Sequence, residues 1–124
     1  MSKGRTHPLP LPHGHTDWLR VEATNQTRGR TINESIEHFT DVLDVHEPRD
    51  TYVCECGDGD CSAPIRLTRA EYEVVRGEST HFAIAIDHEN PEIDRLVFEN
   101  GRYAIVQKTL AMAVRIARET DPRL

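Results

Sequence analysis

The sequence lacks the features that define several large classes of protein. No apolar run approaches the roughly 18 residues of a transmembrane helix, and the N-terminal stretch has no apolar core of a signal peptide. The formal net charge of −6 removes the overall attraction to phosphate backbones that basic proteins have. There is no nucleophile elbow, phosphate-binding P-loop or glycine-rich dinucleotide turn. We therefore expect neither a membrane protein nor an enzyme, and nucleic acid is not the default partner.

Cysteine is also scarce, and all three cysteines fall within residues 54–61. Cys54 and Cys56 are too close in sequence for an unstrained disulfide, and an odd count is atypical of a secreted disulfide scaffold. Zinc takes four ligands, and three thiolates with one histidine form a common structural set. Gly57 can adopt a left-handed conformation that turns backbone amides toward the sulfurs. The loop therefore predicts a Zn²⁺ site with Cys54, Cys56 and Cys61 as ligands, in the reducing cytoplasm.

The fourth ligand is predicted from the positions of the seven histidines. His88 is the first choice, because it lies in a polar turn after a predicted strand, where a loop from another strand can reach it. His81 lies at the other end of the same strand and is the alternative. Asp58, Asp60 or a water molecule could also complete the site, and water would leave an open coordination position.

Residues 17–124 are predicted to form one α+β domain behind an arm, residues 1–16, whose prolines favour an extended or disordered chain. A long helix is expected from an N-cap at Asp17 to about residue 45, with a break near Gly29 as the alternative. Its second half has apolar residues at helical spacing, namely Ile32, Ile36, Phe39, Val42 and Leu43.

About five strands are expected to form a small antiparallel sheet. Residues 51–53 and 63–67 predict a hairpin with the cysteine loop at its tip, and residues 81–86 predict a third strand. Asn100-Gly101 is a strong turn signal between strands at 94–99 and 102–107. In that register one set of side chains would face the core, namely Leu96, Phe98, Tyr103 and Ile105.

Two shorter helices complete the predicted domain. Thr68 and Glu71 have the spacing of a capping box, which opens a helix that stops at Gly77. A closing helix is expected from Thr109 to about Glu119, with inward-facing Leu110, Ala113, Val114 and Ala117. The short helix lies in sequence between the predicted second and third strands, and the closing helix follows the last one.

Several of these motifs occur together in one known family. The run Val53-Cys54-Glu55-Cys56-Gly57-Asp58 is followed by Cys61, then by Leu67-Thr68 and Glu71-Tyr72-Glu73, and then by His88. In this order the motifs resemble a family of small, largely uncharacterised bacterial proteins that have a Cys-x-Cys-Gly-x₃-Cys loop, a Leu-Thr-x-x-Glu-Tyr-Glu helix and a Gly-His strand end. The resemblance covers roughly residues 17–121 and favours Cys54, Cys56, Cys61 and His88 as one ligand set. This chain has Asp87 where the family has glycine, and the resemblance implies no activity.

The sequence thus predicts a non-catalytic, cytoplasmic zinc-binding module that acts by binding another macromolecule, with a protein partner favoured. One alternative is a thiol redox sensor, in which oxidation of the cysteines releases zinc. The other is a factor associated with the ribosome or with nucleic acid, because Arg20, Arg28 and Arg30 make the long helix locally basic.

Overall fold

A computed structural model describes residues 14–44 and 48–123 and has an α+β fold. Its elements in chain order are α1 (His15–Leu43), β1 (Asp50–Val53), β2 (Pro64–Leu67), α2 (Arg69–Arg76), β3 (His81–Ile84), β4 (Asp94–Glu99), β5 (Ala104–Lys108) and α3 (Ala111–Glu119). The predicted fold class, with a long first helix and five strands, is confirmed. Among the described residues, no helix is both long and apolar enough to cross a membrane. Most of the predicted arm, residues 1–13, lies outside the described part of the chain.

Helix α1 is continuous, so the alternative of a break near Gly29 is wrong. The N-cap is Gly14, three residues before the predicted Asp17, and the helix begins at His15. Asp17 lies in the first turn instead, where its carboxylate interacts favourably with the helix dipole. Its end at Leu43 is followed by Asp44 in the left-handed conformation. The predicted last residue, Val45, lies outside the described residues.

The buried face of α1 is mostly polar. Leu19 and Ala23 share it with six polar or charged residues, namely Glu22, Gln26, Thr27, Arg30, Asn33 and Glu37. Five of these side chains have hydrogen-bond partners elsewhere in the chain, and Thr27 donates to the carbonyl of Thr24 within the helix. These bonds offset the cost of burying the polar groups. The apolar residues at helical spacing therefore lie mostly outside, because Ile32, Phe39, Val42 and Leu43 are 50–67% exposed. Only Ile36 among that set packs against the core.

The five strands divide between two antiparallel sheets rather than one, β1-β2 and β3-β5-β4. Glu55 connects the two sheets directly after β1. Its N–H donates to the carbonyl of Ala83, and its side-chain Oε1 accepts from the N–H of Ala83. One edge of the three-stranded sheet is therefore covered by the cysteine loop, and β4 forms the other edge.

The hairpin of β4 and β5 was predicted, but its inward face was predicted wrongly on β4. Tyr103 and Ile105 are buried, whereas Leu96 and Phe98 are each 44% exposed. A bulge between Leu96 and Phe98 shifts the register, and no other strand of residues 14–44 and 48–123 pairs with the outer side of β4. The turn also spans four residues, because Glu99 pairs with Ala104.

The shorter helices follow their sequence signals. Thr68 and Glu71 form the predicted capping box, in which each side chain accepts a hydrogen bond from the other residue's N–H. Helix α3 begins at Ala111, two residues later than predicted, and buries Ala113 and Ala117 against the rest of the domain.

Candidate metal centre

Four predicted ligands meet at one place in the fold. Cys54 follows β1, Cys61 precedes β2, and His88 lies beyond the end of β3. With Cys56 they form a cluster whose ligand atoms all lie within 4.8 Å of one another. Cys54 and Cys56 are buried, and Cys61 and His88 are half-buried. Such a cluster could hold a metal ion. Among the described residues it is the only group of three or more possible metal ligands that lie this close together.

The distances within the cluster fit a tetrahedral ion. Metal–sulfur bonds of about 2.3 Å and metal–nitrogen bonds of about 2.0–2.1 Å separate sulfur from nitrogen by about 3.5 Å in a tetrahedron. His88 Nδ1 lies 3.6 Å from Cys54 Sγ and 3.5 Å from Cys61 Sγ. These two sulfur–nitrogen distances therefore match the spacing that a four-coordinate ion requires.

Backbone amides surround the three sulfurs. The N–H of Ala85 donates to Cys54 Sγ at 3.1 Å, and backbone hydrogen bonding at Asp58 and Ala63 acts to lower the pKa of Cys56 and of Cys61. Hydrogen bonds of this kind stabilise thiolates and orient them toward a cation. The main chain of the loop is therefore arranged for three deprotonated cysteines.

Three thiolates in this cluster would repel one another in the absence of a cation. Hydrogen bonding from Cys54 lowers the pKa of Cys56 to about 5, and the same contact, together with burial, raises the pKa of Cys54. Burial also raises the pKa of Cys61. Deprotonation of one thiol thus disfavours deprotonation of its neighbour, because like charges at this distance repel each other. A bound divalent cation would reverse that repulsion.

Two glycines allow the loop to lie directly against α1. A Cβ atom on Gly57 would stand 2.7 Å from Cβ of Glu22, and one on Gly29 would stand 3.2 Å from Cα of Glu55. Gly57 does not adopt the left-handed conformation, so that prediction is wrong. Among the described residues the glycine with positive φ is Gly14. Gly57 is needed for the close approach of two backbones instead.

Glu55 anchors the loop from the interior and was not predicted. It is fully buried, and its Oε2 accepts from Nδ2 of Asn33 at 2.8 Å and from the hydroxyl of Tyr72 at 2.6 Å. Its Oε1 accepts from the N–H of Ala83 at 2.8 Å. Burial raises the pKa of Glu55. The residue between two ligands is thus held by α1, α2 and β3 together.

The turn before His88 adopts a conformation that favours glycine. The N–H of His88 donates to the carbonyl of Ala85, and Asp87 has φ of 68° inside this turn. Asparagine and aspartate tolerate this left-handed region better than most residues. Asp87 therefore has a backbone conformation that glycine adopts without strain.

The remaining candidates lie elsewhere. His81 stands at the start of β3 outside the cluster, and burial lowers its pKa. Asp58 is also outside it, and its Oδ1 accepts from the N–H of Asp60. Arg30, one of the three arginines that suggested nucleic acid, is fully buried and donates to the carbonyls of Ser79 and Ala117.

Comparisons with protein-family models, with curated proteins and with solved structures give no match to this chain. The resemblance to the small bacterial family therefore stays a prediction that rests on the sequence motifs.

Proposed function

We propose that this chain is a non-catalytic zinc-binding module of the cytoplasm that acts by binding another protein. The observation that carries the proposal is the cluster of three cysteine sulfurs and His88 Nδ1 within 4.8 Å of one another. A Cys₃His donor set favours zinc over harder cations, and unpaired thiols persist in a reducing compartment.

A structural role for the zinc fits the donor set better than a catalytic one. Catalytic zinc sites keep a position for water or substrate, whereas four protein ligands fill a tetrahedral ion. Three thiolates also reduce the positive charge that would polarise a substrate. The zinc in this proposal holds the β1–β2 loop against β3, and its binding energy contributes to folding.

The surface of α1 supports a protein partner. Val21, Ile32, Phe39 and Leu43 recur at helical spacing along one outward face, and each is more than 40% exposed. Exposed apolar surface of this kind is typical of protein–protein contacts. The burial of Arg30 leaves Arg20 and Arg28 as the exposed basic residues of this helix, which weakens the nucleic-acid alternative.

The partner hypothesis is tested with matched baits. The parent chain, an Ile32→Asp/Phe39→Asp variant and a Val74→Asp control are immobilised with zinc, and retained proteins are quantified. Val74 is 69% exposed but lies on α2, away from the α1 face. We expect a partner that the parent and the control retain and the α1 variant loses. Equal retention by all three baits, or binding to RNA or DNA that falls steeply with salt, would contradict the proposal.

The exposure of Cys61 favours a redox sensor as the second candidate. Cys61 is half-buried and lines an open groove with Cys54 and Cys56, so a peroxide can reach its sulfur. Two thiolates would lose two electrons to the peroxide and form a disulfide, and the zinc would leave. Zinc release at micromolar peroxide that a thiol reverses would support this function, and retention of zinc at millimolar peroxide would remove it.

A further inference from the structure

The second half of α1 carries four large apolar residues along its outer side. Ile32, Ile36, Phe39 and Leu43 form this row, which we call the outer stripe. Ile32, Phe39 and Leu43 are 50–67% exposed, and Ile36 is partly buried against the core. Monomeric proteins rarely expose a contiguous apolar patch larger than a few hundred Å². The outer stripe is therefore a surface that favours a contact with another chain.

The spacing of the outer stripe is that of a coiled-coil seam. Its members are separated by four, three and four residues, which is the alternation of d and a positions in a heptad. The series reads the same from both ends. Two antiparallel copies therefore bring Ile32 of one chain opposite Leu43 of the other, and Ile36 opposite Phe39, twice about one twofold axis. The stripe is thus complementary to itself.

The residues that flank the stripe are uncharged. They are Asn33, Ser35, Thr40 and Val42, at the e and g positions of the heptad. Charged residues at these positions commonly select a different partner chain or a particular orientation. A seam without them has no ionic preference against a second copy of itself.

The acidic residues of this part of α1 are held by α2, away from the outer stripe. The carboxylate of Glu34 pairs with Arg76. The carboxylates of Glu37 and Asp41 pair with Arg69. In a chain with a net charge of −6, this arrangement keeps like charges out of a contact between two copies.

The apolar area is large enough for a dimer. With Val42, which is 64% exposed beside the stripe, the exposed apolar surface is on the order of 400 Å² per chain. Homodimer interfaces are about 65% apolar, so two such surfaces imply a total buried area of roughly 1,200 Å². This area exceeds the roughly 1,000 Å² that a specific interface needs and lies at the lower end of the range for stable ones.

Building on the protein-binding function proposed above, we propose that the partner of α1 is a second copy of this chain. The two helices pair antiparallel through the outer stripe, with the twofold axis between Glu37 and His38. The pairing uses no residue of the metal centre.

Sedimentation equilibrium of the zinc-loaded full-length chain, over roughly 1–100 μM, tests this proposal. We expect a particle of twice the chain mass. Ile32→Asp/Phe39→Asp should raise the dissociation constant at least about hundredfold, because four carboxylates would enter the seam. The matched control, Val74→Asp/Leu96→Asp, puts the same charges on exposed residues of α2 and β4 and should remain dimeric. Equal zinc content in all three chains reports an intact fold.

The antiparallel register is tested by mixing two single variants. Ile32→Lys and Leu43→Asp chains should form a mixed dimer in preference to either homodimer, because the introduced charges of opposite sign then face each other. Ile32→Lys mixed with Val74→Asp, whose charge lies on another face, should show no such preference.

Three outcomes would overturn the proposal. The first is a parent chain that sediments as a monomer throughout the range. The second is a dimer that the α1 variant leaves intact or that the control dissociates, since the interface would then lie elsewhere. The third is a mixture of Ile32→Lys and Leu43→Asp without a preferred mixed dimer. A monomer whose bait still retains a different protein would overturn the self-association alone and leave the protein-binding function standing.

Discussion

Replacement of Glu55 by glutamine tests how strongly the interior holds the metal loop. The carboxylate accepts three hydrogen bonds, from Asn33 and Tyr72 at Oε2 and from the N–H of Ala83 at Oε1. A glutamine side chain has two orientations here. In one its amide nitrogen faces the N–H of Ala83, and in the other it faces the donors of Asn33 and Tyr72. At least one acceptor is therefore lost, and a buried donor is left facing another donor.

The expected magnitude follows from that loss. An unsatisfied buried donor costs about 1–3 kcal/mol, so Glu55→Gln should lower the free energy of unfolding of the zinc-bound chain by about 2 kcal/mol. Outer residues that orient metal ligands typically change metal affinity by about 10–100-fold, and we expect a loss in that range. No metal ligand is altered by this substitution.

The assay combines chelator competition for zinc with denaturant unfolding. Glu78→Gln is the control, because Glu78 is exposed and the substitution removes the same charge. Zinc affinity within twofold of the parent, together with an unfolding free energy within about 0.5 kcal/mol of it, would refute the anchoring role of Glu55.

Three further predictions concern the same framework. Gly57→Ala should lower the free energy of unfolding by about 1–3 kcal/mol, because its Cβ would collide with Glu22, whereas Gly101→Ala, with nothing within 4 Å, should leave thermal and denaturant unfolding unchanged. Burial, assisted by Glu73, raises the pKa of Glu37 to about 7, so the native state holds a proton that the unfolded chain releases and stability falls as pH rises through 7. The free energy of unfolding, measured with denaturant, should fall by at most about 0.8 kcal/mol between pH 6.5 and 8.5, and Glu37→Gln should abolish this fall. The same dependence on pH in the parent and the variant would contradict the assignment to Glu37. Asp87→Gly should raise the free energy of unfolding by up to about 1 kcal/mol, because backbone strain is relieved, and the melting temperature should rise with it. A lower melting temperature would contradict this and would show that the aspartate side chain stabilises the turn.

The ligands were predictable because their signal is local. Cys54, Cys56 and Cys61 lie within one short loop, and the chemistry of clustered thiols needs no knowledge of the fold. His88 was reached through the predicted end of a strand, which the structure brings to the loop. The capping box of α2 was equally local, since both of its hydrogen bonds join residues three positions apart.

The features that were missed depend on contacts between distant parts of the chain. Nothing near Glu55 in sequence indicates that Asn33, Tyr72 and Ala83 converge on it. The buried face of α1 is polar, so the periodicity of its apolar residues marks the outer surface instead of the core. The exposure of Leu96 follows from a bulge, which shifts one strand by a residue. No glycine or proline within β4 indicates this bulge in the sequence.

Native mass spectrometry of the untagged chain, purified without chelator and compared with its denatured mass, tests the central claim most directly. The account predicts one zinc ion per native chain, retained in a His81→Ala variant and lost in Cys56→Ser and His88→Ala variants, of which Cys56→Ser should also unfold. A parent chain without metal, with free thiols or one intramolecular disulfide, would contradict it.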